Sequence, residues 1–206
     1  MKIYLPLILF VSLMAFSPYS DARIVLSNAS VADEDVVTVS KTSWVMTSFT
    51  VDSSTDYTLS SITLSSVNLA LSSNSGLRGD IFFRNADGSR GTWVTQLNAP
   101  TGGSNGEAFF SAAANTTLSA GTDYYFALQS TSETSFNVGY SSDTSTDSGS
   151  LWSFGSEGYR IEQGGTLGSP SGNQVKMKIE AIPEPAVFAL ISLVGLGMIV
   201  ARRFRS

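Results

Sequence analysis

The chain of 206 residues contains neither histidine nor cysteine, and only 14% of its residues are charged. The missing thiol excludes a disulfide, a cysteine nucleophile and a thiolate metal cage. The missing imidazole excludes a Ser-His-Asp triad and a histidine-ligated haem or metal. Positive charge is also short: 12 Lys and Arg against 17 Asp and Glu leave a net charge of −5. A nucleic-acid binder needs a basic face to neutralise phosphates, and this balance argues against one. The length suits about one domain, at roughly 100–200 residues each.

Long apolar runs occur only at the two ends. After Met1-Lys2, residues 3–16 are interrupted only by Pro6 and Ser12, and Ser17-Pro18-Tyr19-Ser20-Asp21-Ala22 follow. One positive charge, an apolar stretch of about 7–15 residues and small residues (Ser20 and Ala22) before the cleavage point make a secretory signal peptide, residues 1–22. The second run, residues 186–201, carries no charge and precedes Arg202, Arg203 and Arg205. As a helix it rises about 24 Å, and counting from Pro185 to Arg203 gives about 28 Å. That nearly spans a hydrocarbon core of roughly 30 Å, because arginine stems snorkel to the interface. Pro185 suits the first helical position, and Glu184 sits beside the positive end of the helix dipole. The arginines stay cytoplasmic, so the body is expected to face outward.

Pro183-Glu184-Pro185, the apolar helix and the terminal Arg202-Arg203-Phe204-Arg205 cluster together resemble the PEP-CTERM sorting signal. The resemblance covers residues 183–206, with a transmembrane helix over about 185–203. It implies recognition and processing by an exosortase in the inner membrane of a Gram-negative bacterium. It also implies inner-membrane anchoring with a periplasmic body, then residence at the cell surface or in the extracellular matrix. Such proteins accompany exopolysaccharide and biofilm systems, and they require a signal peptide at the other end.

Residues 23–182 hold eight cationic and fifteen acidic side chains and almost no helical periodicity. Residues 23–40 read as an N-terminal segment and 41–182 as the extracytoplasmic domain. There, apolar residues alternate with Ser, Thr and charge in short runs broken by Gly, Asn and Asp, the pattern of an all-β sandwich or barrel. In 175–182, Val175, Met177, Ile179 and Ala181 share one face, and Lys176, Lys178 and Glu180 the other, which predicts a strand half in a core and half in water. Residues 123–130 set Tyr124, Phe126 and Leu128 against Tyr125, Ala127 and Gln129. Residues 44–51 alternate Val45, Thr47, Phe49 and Val51. Along 59–71 the apolar phase slips at Ser65-Ser66, which predicts a bulge or bend. Residues 81–84 and 92–97 flank a hairpin loop with Asp87-Gly88 at its tip. Further strands are predicted at 107–111, 135–140, 151–154 and 159–162. About nine or ten strands imply two packed antiparallel sheets, a jelly-roll-like β-sandwich.

The run Thr117-Leu118-Ser119-Ala120-Gly121-Thr122-Asp123-Tyr124-Tyr125-Phe126-Ala127-Leu128 resembles the turn-plus-strand segment of the choice-of-anchor domains, especially the R type. Those extracellular β domains occur with PEP-CTERM or other anchors. The resemblance spans roughly residues 40–182 and implies architecture and location, with no activity. The Ser/Thr/Asp/Gly-rich stretch 141–150 departs from it.

Without His or Cys, the chemistry left is that of carboxylates, Lys, Tyr and Ser. A pair of carboxylates suffices for glycoside hydrolysis, and Asp80, Glu107, Asp123, Glu157 and Glu162 are the candidates. None carries a local signature, and most adjoin Gly or Thr in predicted turns, where solvated carboxylates are expected. Asp33-Glu34-Asp35 and the alternating Asn85, Asp87 and Ser89 offer oxygens to calcium. A hard cation wants about six to eight oxygens from several segments, and neither stretch matches the twelve-residue calcium loop. No metal or cofactor is expected. Trp44, Trp93, Trp152 and Tyr159 are candidate sugar contacts, since exposed aromatic faces stack on sugar rings, although tryptophans in a sandwich more often pack in the core or at the rim. The expectation is an exported, membrane-anchored, non-enzymatic surface or matrix protein. The alternative is a carbohydrate-binding module for extracellular polysaccharide, and a carboxylate glycoside hydrolase is less favoured.

Overall fold

The computed structural model describes residues 21–32, 35–68, 76–100, 106–143, 145–147 and 149–184. The apolar runs 3–16 and 186–201, with Pro185, Arg202, Arg203 and Arg205, lie outside them. Among the described residues no helix is long and apolar enough to cross a membrane.

Ala22–Glu184 make one compact unit. Its strands, in chain order, are β1 (Arg23–Ser27), β2 (Asp35–Val39), β3 (Ser43–Thr50), β4 (Tyr57–Leu64), β5 (Val67–Asn68), β6 (Leu77–Arg84), β7 (Arg90–Gln96) and β8 (Ala108–Ser111). Then come β9 (Thr117–Leu118), β10 (Asp123–Ser130), β11 (Phe136–Ser141), β12 (Ser153–Gln163), β13 (Thr166–Leu167), β14 (Gln174–Val175) and β15 (Met177–Pro183). The fold is all-β, and every pairing between these strands is antiparallel.

A six-stranded sheet runs β13-β12-β3-β10-β6-β7. A second sheet runs β1-β15-β4-β8, with β9 also on β4, and a third runs β14-β11-β2, with β5 also on β11. The last two are joined through a bend. Only Lys176 separates β14 from β15, and only Ser65-Ser66 separates β4 from β5. Hydrogen bonds carry the pairing around the corner: Ser65 N–H to Lys176 O (3.1 Å), Lys176 N–H to Gly139 O (3.1 Å) and Gly139 N–H to Ser66 O (2.6 Å). The phase slip at Ser65-Ser66 is thus a strand break with a change of sheet. Residues 23–40, which read from sequence as a leading segment, contribute β1 and β2 to these sheets.

One buried cluster joins the sheets in a sandwich-like arrangement. Val45 and Phe49 of β3, Ile81 of β6, and Tyr124, Phe126 and Leu128 of β10 share it with Ile62 and Leu64 of β4, Phe110 of β8, Val138 of β11 and Ile179 of β15. Phe110 meets Phe126 edge-on at 5.8 Å between ring centroids, a favoured aromatic geometry. Gly79 makes room for that pair, because an added Cβ would lie 2.9 Å from the Phe126 ring and 3.1 Å from Phe110.

The predicted strands 151–154 and 159–162 are one strand, β12. Its register on β3 shifts between Phe154 and Tyr159, so four residues bulge opposite Ser48. Gly158 has φ of +74° and backs directly onto Asn173 and Gly172 backbone, leaving no space for a Cβ. The bulge re-aims Glu157 and Arg160, which matters for the face described next.

Candidate functional site

The central strands of the six-stranded sheet bury side chains on its outer face as well. Met46 of β3, Phe82 of β6, and Tyr125 and Ala127 of β10 form a second buried cluster, against which Trp44 and Leu167 pack. The cover is made of arginines. Arg90 lies 5.0 Å from the Phe82 ring centroid and 5.4 Å from that of Trp44, and Arg84 lies 5.9 Å from that of Tyr125. A guanidinium stacked on rings keeps its edge free to pair with carboxylates. Arg90 bonds Glu162 at 2.9 Å, and Arg84 bonds Glu157 at 3.0 Å and Asp123 at 3.2 Å. Arg160 bonds Glu157 at 2.7 Å. The hydrogen bond from Arg84 holds the Glu157 carboxyl below its ordinary range, against the effect of burial and with further help from Arg160. Tyr125 donates its hydroxyl to Gly88 O at 2.8 Å, which ties the β6–β7 hairpin tip onto this face. Between that tip (Asp87–Arg90) and the β12–β13 hairpin lies an open cleft of about 430 Å³, bounded by Arg160, Glu162 and Leu167.

Trp93, on β7, is 55% exposed, and its indole N–H donates to Asp80 Oδ1 at 3.1 Å. Asp80 is itself buried and is gripped by Arg78 through two bonds of 2.6 and 2.8 Å. An exposed ring is therefore held in one orientation by a buried carboxylate that Arg78 pairs. Trp44 lies on the same face, half-buried under Arg90. The other two candidate sugar contacts lie elsewhere. Trp152 is in the main core, stacked on Phe49 at 5.7 Å and edge-on to Tyr57 at 5.2 Å, so neither of its faces is open to a sugar ring. Tyr159 packs on Tyr140 at 5.4 Å, and burial raises its phenol pKa.

The candidate carboxylates are not the solvated turn residues that their neighbours suggest. Asp80, Glu157 and Glu162 lie within strands, Asp123 opens β10, and each is ion-paired to arginine. Only Glu107 among them is exposed and outside a strand. In the hairpin tip, Asp87 Oδ1 accepts Ser89 N–H at 2.9 Å and Ser89 Oγ at 2.6 Å, while Asn85 Nδ2 donates to Ser89 Oγ at 2.8 Å. Asp87 Oδ1 and Ser89 Oγ are thus engaged within the turn itself. Asp33 and Glu34 lie outside the described residues, and Asp35 opens β2. Among the described residues no group of three or more His, Cys, Asp or Glu is placed to hold a metal.

The third location is the end of the last strand. Pro183 closes β15 opposite Tyr57 of β4. Glu184 donates its backbone N–H to Asp56 O at 2.8 Å, and its carbonyl accepts from Thr55 Oγ1 at 3.0 Å. Its carboxylate Oε1 accepts from Thr58 Oγ1 at 3.0 Å and from Thr117 Oγ1 at 2.9 Å. Thr117 opens the turn-plus-strand run singled out in the sequence, but no sequence pattern gave either threonine a role at Glu184. The outer-face arginines left a trace in Arg78-Gly79-Asp80-Ile81-Phe82-Phe83-Arg84, where charge and an aromatic share the side away from the core.

No protein-family model matches the chain, and no curated protein matches it.

Proposed function

We propose that this chain is an exported bacterial protein, held in the inner membrane by a C-terminal helix until an exosortase-type enzyme processes the tail around Pro183-Glu184-Pro185. Its β body is a non-enzymatic surface or matrix component associated with exopolysaccharide or biofilm, of jelly-roll-like form and similar to the choice-of-anchor domains. The observation that carries the proposal is the junction: the compact unit ends at Glu184, immediately before an uncharged apolar run and three arginines. The ion-paired carboxylates support the non-enzymatic part. Asp80, Asp123, Glu157 and Glu162 are each held by an arginine, a structural use of the carboxylate. Replacing Pro183, Glu184 and Pro185 with alanine is expected to leave membrane insertion intact and to block tail removal, read by the size of the exported chain. Normal processing of that variant would refute the role of the motif.

A second reading is favoured by Trp93, whose exposed ring is held by Asp80. In that reading the outer face binds extracellular polysaccharide. Saturable co-sedimentation of the protein with the producing cell's polysaccharide, lost in Trp93→Ala, is the expected result. Absence of binding over a wide concentration range would remove it.

A further inference from the structure

Pro183 and Glu184, the first two residues of the proposed sorting motif, are engaged by the body that precedes them. Pro183 is paired as a strand residue opposite Tyr57. Both backbone polar groups of Glu184 are bonded, the N–H to Asp56 and the carbonyl to Thr55. The carboxylate is held by Thr58 of β4 and Thr117 of β9. The turn that carries Thr117 is itself fixed, since Ala120 N–H donates to Asp56 Oδ1 at 2.8 Å and Ser119 N–H donates to the Tyr124 hydroxyl at 2.8 Å. Thus the segment of β4 that pairs with the motif and the turn that clasps its carboxylate are locked to each other.

An enzyme that acts on this segment has to take the same groups. Peptide recognition commonly adds the substrate as an extended strand through its main-chain hydrogen bonds. A carboxylate is read by short charge-assisted bonds to its oxygens. At Glu184 both sets are already used within the body. We infer that the β body masks its own sorting motif: a clasp formed by Thr55, Asp56, Thr58 and Thr117 on Glu184 has to open before the segment enters the processing enzyme. Processing then runs in proportion to the open fraction, a local-unfolding equilibrium confined to the end of β15. This gate rests on the sorting function proposed above.

The test uses the full chain in a host that supplies the exosortase, comparing wild type with Thr58→Val/Thr117→Val. Two readouts are needed: hydrogen exchange of the Glu184 amide in detergent-solubilised protein, and the rate of tail removal by pulse–chase. Loss of two hydroxyl bonds to a carboxylate is expected to speed both by about tenfold or more, with the unfolding midpoint little changed. Thr58→Ser/Thr117→Ser, which keeps the hydroxyls, is expected to restore slow exchange and slow processing. Faster exchange with an unchanged processing rate, or no change in exchange, overturns the gate alone. Absence of processing in every form overturns the sorting function, and the gate with it.

Discussion

The six-stranded sheet buries apolar side chains on both of its faces, by different means. Its inner face is covered by aliphatic and aromatic side chains of the opposing strands, with Phe126 against Phe110 and Val45, Phe49 and Ile81 in the same cluster. Among the described residues no sheet opposes its outer face, and Met46, Phe82 and Tyr125 are covered by Arg84, Arg90 and two hairpins. Burial on the inner side depends on packing, which is insensitive to pH and salt. Burial on the outer side depends on guanidinium groups that stay in place because Glu157, Glu162 and Asp123 hold them. A face sealed by ion pairs is one that a ligand or a change of medium can reopen.

The largest effect is expected inside. Phe126→Ala should cost about 3–5 kcal/mol in denaturant unfolding, through lost burial and the cavity left behind. Met46→Ala is the matching change outside. A cost of about 2 kcal/mol or more would show that the arginine cover makes a true second core, whereas a cost under about 0.5 kcal/mol would show a surface.

Next comes the ion pair that spans the outer face. Arg90→Ala leaves Glu162 buried without its partner and uncovers Phe82 and Trp44. It should cost about 1–3 kcal/mol, with part regained in Arg90→Ala/Glu162→Gln. If the double variant is no better than the single, the cost lies in packing over the rings instead.

Acid distinguishes the faces further. Arg84 holds the folded Glu157 pKa below the unfolded value. Its contribution is therefore fully present above about pH 4.3, the ordinary glutamate value, and is lost as the pH falls through the lower folded pKa. The stability difference between wild type and Glu157→Gln should shrink toward zero over that acid range, while the Phe126→Ala difference should stay flat. The smallest stability effect is expected for the exposed Trp93→Ala, within about 0.5 kcal/mol.

Much of the inner face was legible in the sequence. Period two in 123–130 and 175–182 marked the strands that bury Tyr124, Phe126, Leu128, Met177 and Ile179, and the slip at Ser65-Ser66 marked the turn of the chain between sheets. The ion pairs of the outer face were not legible, because their partners are distant: Arg90 meets Glu162 and Arg84 meets Glu157 only through the order of the strands. Trp152 and Trp93 look alike as residues, and only the tertiary packing sends one to the core and leaves the other exposed. The contacts of Thr58 and Thr117 with Glu184 were hidden for the same reason, since a threonine on a strand has no such role until Glu184 arrives beside it.

The most direct measurement is the intact mass of the chain recovered from the outer surface of the producing cell, with both termini sequenced. The expected result is a chain beginning at Arg23 and ending close to Pro183–Pro185, without the apolar run and the arginines. A surface chain that still ends in Arg205-Ser206 would contradict sorting at this motif.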